Sequence, residues 1–383
     1  LGIAAFLVVA GLTGSVLAFY QELDELLNPR LHRPGTTVGR PLDPFMLRER
    51  VAAAVPDHPV HFVPLRDPRG KAVVFWLDGG DSGDDEWFAD PVSGEILGSR
   101  RWGDLGQGFR LNLVPFVYRL HYSLGLREFG SWLFGIVALL WTADCFVGAA
   151  LTFPVGRTAG AASPVADWAR RWRVSWLVKG GELFRAVFTF HRAAGLWVWA
   201  FLFVFAWSAV GFNLQPVFRP VMGVLGHEDV RRTLPEREEP MERPGLEFRA
   251  AREVARTRMA EEAAERGFAI KEEGFLEFDA KRGLYRYSVH GSRDPGDRWP
   301  GTHLWIDADT GMRVAFSMPT GQTAGGTMAS WLFALHTGAV GGWPYRIVVF
   351  LFGWVVAGLA GSGVWIWWWK RSRKVRRGQR AGA

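Results

Sequence analysis

The 383-residue sequence contains one cysteine, Cys145. A lone thiol closes no disulfide, so no disulfide framework staples the chain. No Cys-X-X-Cys-His segment is present, which excludes covalent haem attachment of the c type. The lack of clustered thiols excludes iron–sulfur ligation within the chain. Zinc is poorly served, because the candidate histidines are scattered without nearby cysteines or carboxylates. There is also no recognisable catalytic triad and no carboxylate dyad, so nucleophilic or paired acid–base chemistry has no visible seat.

What is abundant is apolar and aromatic. Twenty Trp and 28 Phe are more than a soluble core uses, and a mean hydropathy near zero averages very apolar and very charged blocks. A spanning helix needs about 20 mostly apolar residues. Four stretches qualify, roughly 1–20, 130–153, 190–213 and 345–369. In hydrocarbon they must be helices, since each backbone polar group needs a partner within its own segment. The first runs into Phe19-Tyr-Gln-Glu-Leu-Asp24 without a small-residue cleavage site, and so reads as a retained span rather than a signal peptide. The sequence opens with Leu1 already inside that span, and the natural N-terminus is expected upstream.

The basic balance, +7 with a pI near 9.8, does not imply nucleic acid, because the charge is sorted by topology. The loop between spans two and three carries Arg157, Arg170, Arg171, Arg173, Lys179 and Arg185 against Asp167 and Glu182, and Lys370 to Arg377 form a basic tail. The two long loops mix both signs and are slightly acidic. Short Lys/Arg-rich loops stay cytoplasmic. The expected layout is a bacterial inner-membrane protein with both termini cytoplasmic and two outer domains. Its segments are a first span (1–20), an outer domain (21–128), a second span (129–153), a cytoplasmic loop (154–189), a third span (190–213), a second outer domain (214–329), a His-bearing segment with the fourth span (330–369), and the tail (370–383).

The chain also repeats itself. Aligning His121 with His336 places Gly148 on Gly363 and the second span on the fourth. Each outer loop holds an Asp-X-X-Ser/Thr-Gly turn, Asp90 to Gly94 and Asp307 to Gly311, roughly 30 residues before its histidine. Each also holds an upstream helix candidate, Pro44 to Val55 and Leu246 to Arg266. Repeats of the same membrane direction are related by an axis along the membrane normal, so equivalent residues face each other across it. His121 and His336 thereby read as two jaws on one cofactor near the outer face. His191 opens the third span on the cytoplasmic side, and overlaying Gly195 on Gly2 places its partner histidine four residues before Gly2, upstream of Leu1.

A single histidine at a span end ordinarily caps a helix or sits among headgroups. Repeat-equivalent histidines favour two axial imidazoles on a b-type haem iron, a six-coordinate arrangement suited to electron transfer. The other histidines carry less: His58 and His61 lie in a Pro-rich loop, His290 and His303 flank a Gly/Pro/Asp loop and read as surface residues, and His32 and His227 show no pattern. Asp144 is expected to face the bundle interior, bonded to Thr142 or a tryptophan. Gly358, Gly361 and Gly363 allow close helix approach or leave room for a porphyrin.

Taken in order, Gly11-Leu-Thr-Gly-Ser-Val-Leu-Ala-Phe19, the two Asp-X-X-Ser/Thr-Gly turns, His191-Arg-Ala-Ala-Gly-Leu196 and Leu335-His-Thr-Gly338 resemble the PepSY-associated transmembrane proteins, iron-regulated inner-membrane proteins linked to siderophore uptake. Within that family the chain is similar to the FoxB type of siderophore reductase. The resemblance covers nearly the whole chain. It implies an integral membrane α-helical fold of four transmembrane helices, internally duplicated, under two α+β PepSY-like periplasmic domains. It further implies two b haems held by His121, His191 and His336, and reduction of a periplasmic ferric siderophore with release of Fe(II). The electron donor, a quinol or a cytoplasmic reductase, is left open. The competing functions are a non-enzymatic membrane-anchored binding or regulatory protein and a quinol-linked electron-relay subunit.

Overall fold

The computed structural model describes residues 2–381 apart from 36–38, 57, 69, 78–82, 157 and 159–162, with backbone alone for 374–381. Leu1, Arg157 and the side chains of Lys374, Arg376 and Arg377 thus lie outside the described residues. Helix α1 (Gly2–Leu17) carries no charge, whereas α2 (Tyr20–Leu27) brings in Glu22, Asp24 and Glu25, so the apolar segment ends with α1. The single turn α3 (Pro29–His32) follows. Helix α4 (Pro44–Ala54) starts where Asp43 accepts from the Phe45 amide at 2.8 Å, with Pro44 at the first position, where no amide is needed. Strands β1 (Phe62–Pro64), β2 (Val73–Trp76), β3 (Glu86–Ala89) and β4 (Ile96–Arg100) come next.

Helix α5 (Phe109–Ser123) gives way to α6 (Arg127–Ala150) through a turn in which Leu124, Gly125 and Arg127 all have positive φ. Helix α7 (Pro164–Arg173) precedes α8 (Leu183–Trp197) and α9 (Trp199–Asn213). Helices α10 (Gln215–Gly223), α11 (Val230–Thr233) and α12 (Phe248–Arg266) lead into β5 (Ile270–Asp279), β6 (Leu284–Gly291), β7 (Thr302–Asp307) and β8 (Arg313–Ser317). Helix α13 (Ala324–His336) and the long α14 (Gly342–Ala381) complete the chain, separated by a turn with positive φ at Gly338, Gly341 and Gly342. The order helix, strands, His-bearing helix, left-handed turn, apolar helix therefore occurs twice.

The chain divides into two compact units. The helical unit comprises residues 1–18, 120–218 and 344–383; the sheet-bearing unit comprises 19–119 and 219–343. Both long segments between the apolar stretches thus contribute to a single sheet-bearing unit.

In the helical unit, α6 and α14 are each long and apolar enough to cross a membrane. The count rises to four if the pairs α1 with α2 and α8 with α9 are each one bent span. The sequence reads 190–213 as one helix, but α8 and α9 meet at 68° around Val198. The two flanking indoles hold this break. Trp197 donates to the Trp176 carbonyl at 3.1 Å and Trp199 to the Cys145 carbonyl at 2.8 Å, so adjacent side chains are anchored on different partners. Helices α1 and α14 cross at glycine: a Cβ on Gly11 would lie 2.5 Å from the Gly353 carbonyl oxygen. Ser15 donates to the Phe350 carbonyl at 2.8 Å across the same crossing.

In the sheet-bearing unit each repeat lays one helix on one antiparallel sheet. Leu47 and Val51 of α4, with Val55 just past its end, bury against Phe75 and Ala89 of the three-stranded sheet β2-β3-β4. Ala251, Ala255 and Met259 of α12 bury against Leu276, Tyr285, Leu304 and Ile306 of a five-stranded sheet ordered β1-β5-β6-β7-β8. Strand β1, from the first repeat, pairs antiparallel with β5 of the second, Val63 opposite Leu276. Both Asp turns form as the sequence reads them: Asp90 Oδ1 accepts from the Val92 and Ser93 amides, Asp307 Oδ1 from the Asp309 and Thr310 amides. Gly94 and Gly311 close them at φ 72° and 69°, a region that Cβ-bearing residues avoid.

A buried ionic network ties the first repeat together. Arg100, 1% exposed, donates through both terminal nitrogens to Asp24 (3.0 and 2.7 Å), through Nε to Glu86 (2.5 Å), and to the Leu111 carbonyl (2.8 Å). His32, for which the sequence shows no pattern, bonds Asp24 through Nε2 at 2.9 Å. Burial pushes the Asp24 carboxyl upward, but hydrogen bonds from His32 and Arg100 outweigh it, and the group titrates at about 2. Glu86 moves the other way, to about 7, because burial and the nearby Asp24 charge outweigh Arg100.

Candidate functional site

His121 lies near the end of α5, half-buried in the helical unit. Its Nδ1 is 2.9 Å from the hydroxyl of Thr13 on α1. That hydroxyl has its own acceptor, the Val9 carbonyl one turn back at 2.7 Å. A hydroxyl has one proton to give. With the proton spent on Val9, the Thr13 oxygen accepts and His121 Nδ1 donates. This pattern assigns the imidazole the Nδ1–H tautomer, with its lone pair on Nε2. Gly14, the next residue of α1, lies against the ring edge: a Cβ there would come 3.0 Å from His121 Cε1.

His191, half-buried on α8, repeats the arrangement against the other apolar helix. Its Nδ1 is 2.9 Å from the hydroxyl of Ser362 on α14, and that hydroxyl donates to the Leu359 carbonyl at 2.9 Å. Gly363 is the next residue, and a Cβ on it would come 3.3 Å from His191 Cε1. Two imidazoles from different helices thus meet the same local device, a hydroxyl followed by glycine on a facing apolar helix. Each is held with Nδ1 as donor and Nε2 as the basic nitrogen. That is the tautomer a metal-ligating histidine uses when its second ring N–H is tied down by a neighbour.

His336 is the last residue of α13, half-buried in the sheet-bearing unit. The segment that follows it is clasped by the loop after β6. The Asp297 amide donates to the Ala339 carbonyl at 2.9 Å, Arg298 donates to the Thr337 carbonyl at 3.4 Å, and Trp299 packs edge-on against Phe333. His121 and His191 therefore belong to one unit and His336 to the other.

Other sequence expectations change. Asp144 is exposed on α6 rather than turned inward, and Thr142 donates to the Ala138 carbonyl at 2.8 Å. His290 and His303 do flank the loop between β6 and β7, as the sequence reads, but they are not surface residues. They sit on β6 and β7, His290 6% exposed beside Asp294 at 3.5 Å, and His303 Nδ1 2.7 Å from the Ser288 hydroxyl. Burial and the Arg286 charge hold the His303 imidazole down at about 3, so it is neutral at ordinary pH. Of the three glycines noted on the fourth span, only Gly363 approaches a histidine; Gly358 and Gly361 have nothing within 4 Å of an added Cβ.

Among the described residues no cluster of three or more His, Cys, Asp or Glu is placed to hold a metal ion. The donors on offer are single, oriented imidazoles, which suit a cofactor that brings its own equatorial ligands, and on this chemistry the residues fit a b-type haem. Thr13 and Ser362 are the residues that sequence reasoning passed over. The signal was present as a hydroxyl residue directly before a glycine in each apolar helix, Thr13-Gly14 and Ser362-Gly363.

No curated protein matches the chain. The profile of the family described as PepSY-associated TM region matches residues 1–371. With apolar helices of spanning length beside it, that match makes the chain a membrane protein and a member of the PepSY-associated TM region family.

Proposed function

We propose that the protein is an inner-membrane di-haem b reductase. It passes electrons across the membrane to a periplasmic ferric siderophore, whose iron leaves as Fe(II). The observation that carries this reading is the paired geometry in the helical unit, where His121 and His191 are each fixed as the Nδ1–H tautomer by a hydroxyl on a facing apolar helix. Haem b, when bound, supplies one-electron exchange between ferric and ferrous iron. The chain's part is to present neutral imidazole nitrogens in fixed orientation and to keep water from them. His336, the repeat-equivalent of His121, carries the same proposed ligand role. Outer-sphere reduction needs no nucleophile and no general acid. The basic loop and tail are assigned to the cytoplasm and the sheet-bearing unit to the periplasm by the positive-inside rule.

The test is direct. Full-length protein purified from haem-replete cells should be red, with a bis-imidazole b-type spectrum that sharpens on dithionite. The reduced protein should be reoxidised by a ferric siderophore, with Fe(II) trapped by a ferrous chelator. A colourless preparation would sink the proposal. Reoxidation by a soluble redox partner but not by any ferric siderophore would make the protein an electron-relay subunit instead.

A further inference from the structure

We infer that Thr13 and Ser362 are positioning residues that set the donor strength and ring orientation of His121 and His191; this rests on the haem reading above. Three observations converge. Each hydroxyl oxygen lies 2.9 Å from a histidine Nδ1. Each hydroxyl has a carbonyl of its own helix to take its proton, Val9 for Thr13 and Leu359 for Ser362, which leaves the oxygen able to accept from the ring. Each is followed by a glycine whose missing Cβ lets the Cε1 edge of the ring close on the helix backbone. A serine or threonine in an apolar helix often satisfies itself by bonding back to its own backbone. Such a residue needs no histidine, and an imidazole nitrogen at the same short distance in two unrelated places is not part of that habit.

The physical consequence follows from the hydrogen bond. An Nδ1–H that donates to a neutral oxygen makes Nε2 a better electron donor than a bare imidazole, and a weaker one than an imidazole bonded to carboxylate. Stronger donation stabilises ferric iron over ferrous. A backbone carbonyl also partners each ring, Ala10 for His121 and Leu359 for His191, so removing the hydroxyl should weaken the donation, raise the midpoint potential of the haem held by that histidine, and leave the other unchanged. The two sites are not equivalent. Thr13 is β-branched and has two backbone acceptors in reach, Val9 at 2.7 Å and Ala10 at 3.2 Å, so its side chain is stiffly held. Ser362 has Leu359 alone among the hydrogen bonds of its hydroxyl proton, and its rotamer is less restricted. Replacement of Thr13 should accordingly disturb ring orientation more than replacement of Ser362.

The experiment is an optical redox titration, with low-temperature electron paramagnetic resonance of the oxidised state, on full-length Thr13→Val, Thr13→Ser and Ser362→Ala proteins in detergent. The expected result is an upward shift of one midpoint in Thr13→Val and of the other in Ser362→Ala. The low-spin g-values should change for the same haem only, and Thr13→Ser should behave as wild type. Loss of one haem in Thr13→Val but not in Thr13→Ser would also support the assignment. Unchanged midpoints and g-values at full haem content would overturn it, as would equal disturbance by Thr13→Ser and Thr13→Val, which would mark a packing role. A haem-free wild type would overturn the functional reading and this inference with it.

Discussion

Alanine at Gly11 tests the α1–α14 crossing. The new methyl would sit 2.5 Å from the Gly353 carbonyl oxygen and 3.3 Å from the Ala357 nitrogen, both backbone atoms that cannot rotate away. Ordinary contact begins near 3.4 Å, so the helices must separate by a good part of an ångström. That separation stretches the Ser15–Phe350 hydrogen bond, 2.8 Å in the native crossing, past useful length. Overpacking of this kind costs about 1–3 kcal/mol, and the lost bond about 1 kcal/mol more. Gly358 is the internal control, because it lies on the same α14 with nothing within 4 Å of an added Cβ. Alanine there loses no contact and gains up to about 1 kcal/mol of helix propensity. Thermal unfolding of the full-length protein in detergent micelles, followed by tryptophan fluorescence, should rank Gly11→Ala clearly below wild type and Gly358→Ala at or above it. Should unfolding prove irreversible, unfolding rates at fixed temperature give the same ranking. Equal melting of the two variants would refute the crossing.

Other expectations concern the sheet-bearing unit and the histidines. The two network carboxylates give opposite pH dependences. Asp24, held at about 2, contributes stability that is present above its ordinary value of 3.8 and is lost as pH falls toward 2. Glu86, raised to about 7, favours the folded state while protonated, and that contribution declines as pH rises from 4.5 to about 7. Glu86→Gln should abolish the decline in unfolding curves taken from pH 2 to 8 while leaving the acid limb below pH 4 intact. Arg100→Met strands two buried carboxylates and should cost about 3–5 kcal/mol by the same measurement; a loss under 1 kcal/mol would mean that water reaches them. Gly311→Ala forces a side chain into the left-handed region with its Cβ 2.9 Å from Val254, and should lower the melting temperature more than Asp309→Ala on the same turn. His121→Ala and His191→Ala should each lower the haem-to-protein ratio by one, and loss of all haem in both variants would point to general collapse.

The features legible in the sequence are those with local causes. The Asp90 and Asp307 turns follow from an Asp that caps amides two and three residues on and a Gly that accepts positive φ, so five residues suffice to read them. The apolar stretches that become α6 and α14 follow from composition alone. Arg100 with Asp24 and Glu86 was not legible, since a buried ion pair between residues far apart looks like ordinary surface charge until the fold closes. The break at Val198 carries no Pro, and a glycine such as Gly195 before it also occurs within unbroken helices, so the bend depends on where two indoles find carbonyls. For the site, the histidines were visible through the repeat. The hydroxyls were not, because Thr13 and Ser362 acquire meaning only when a second helix brings an imidazole to 2.9 Å.

The pairing of β1 with β5 has a consequence for how the chain is made. Strand β1 leaves the ribosome early, and Val63 then lacks the strand that will hold Leu276 opposite it. Before that partner exists, α6, α8 and α9 must be synthesised, α6 among them being long and apolar enough to cross a membrane. Through that interval the first repeat carries an open strand edge, the kind of surface that invites wrong partners. A transcript cut short before Asp279 would leave the edge open permanently. The two halves of the gene, expressed as separate polypeptides, would have to form this strand pair between chains, as the two protomers of a dimer do.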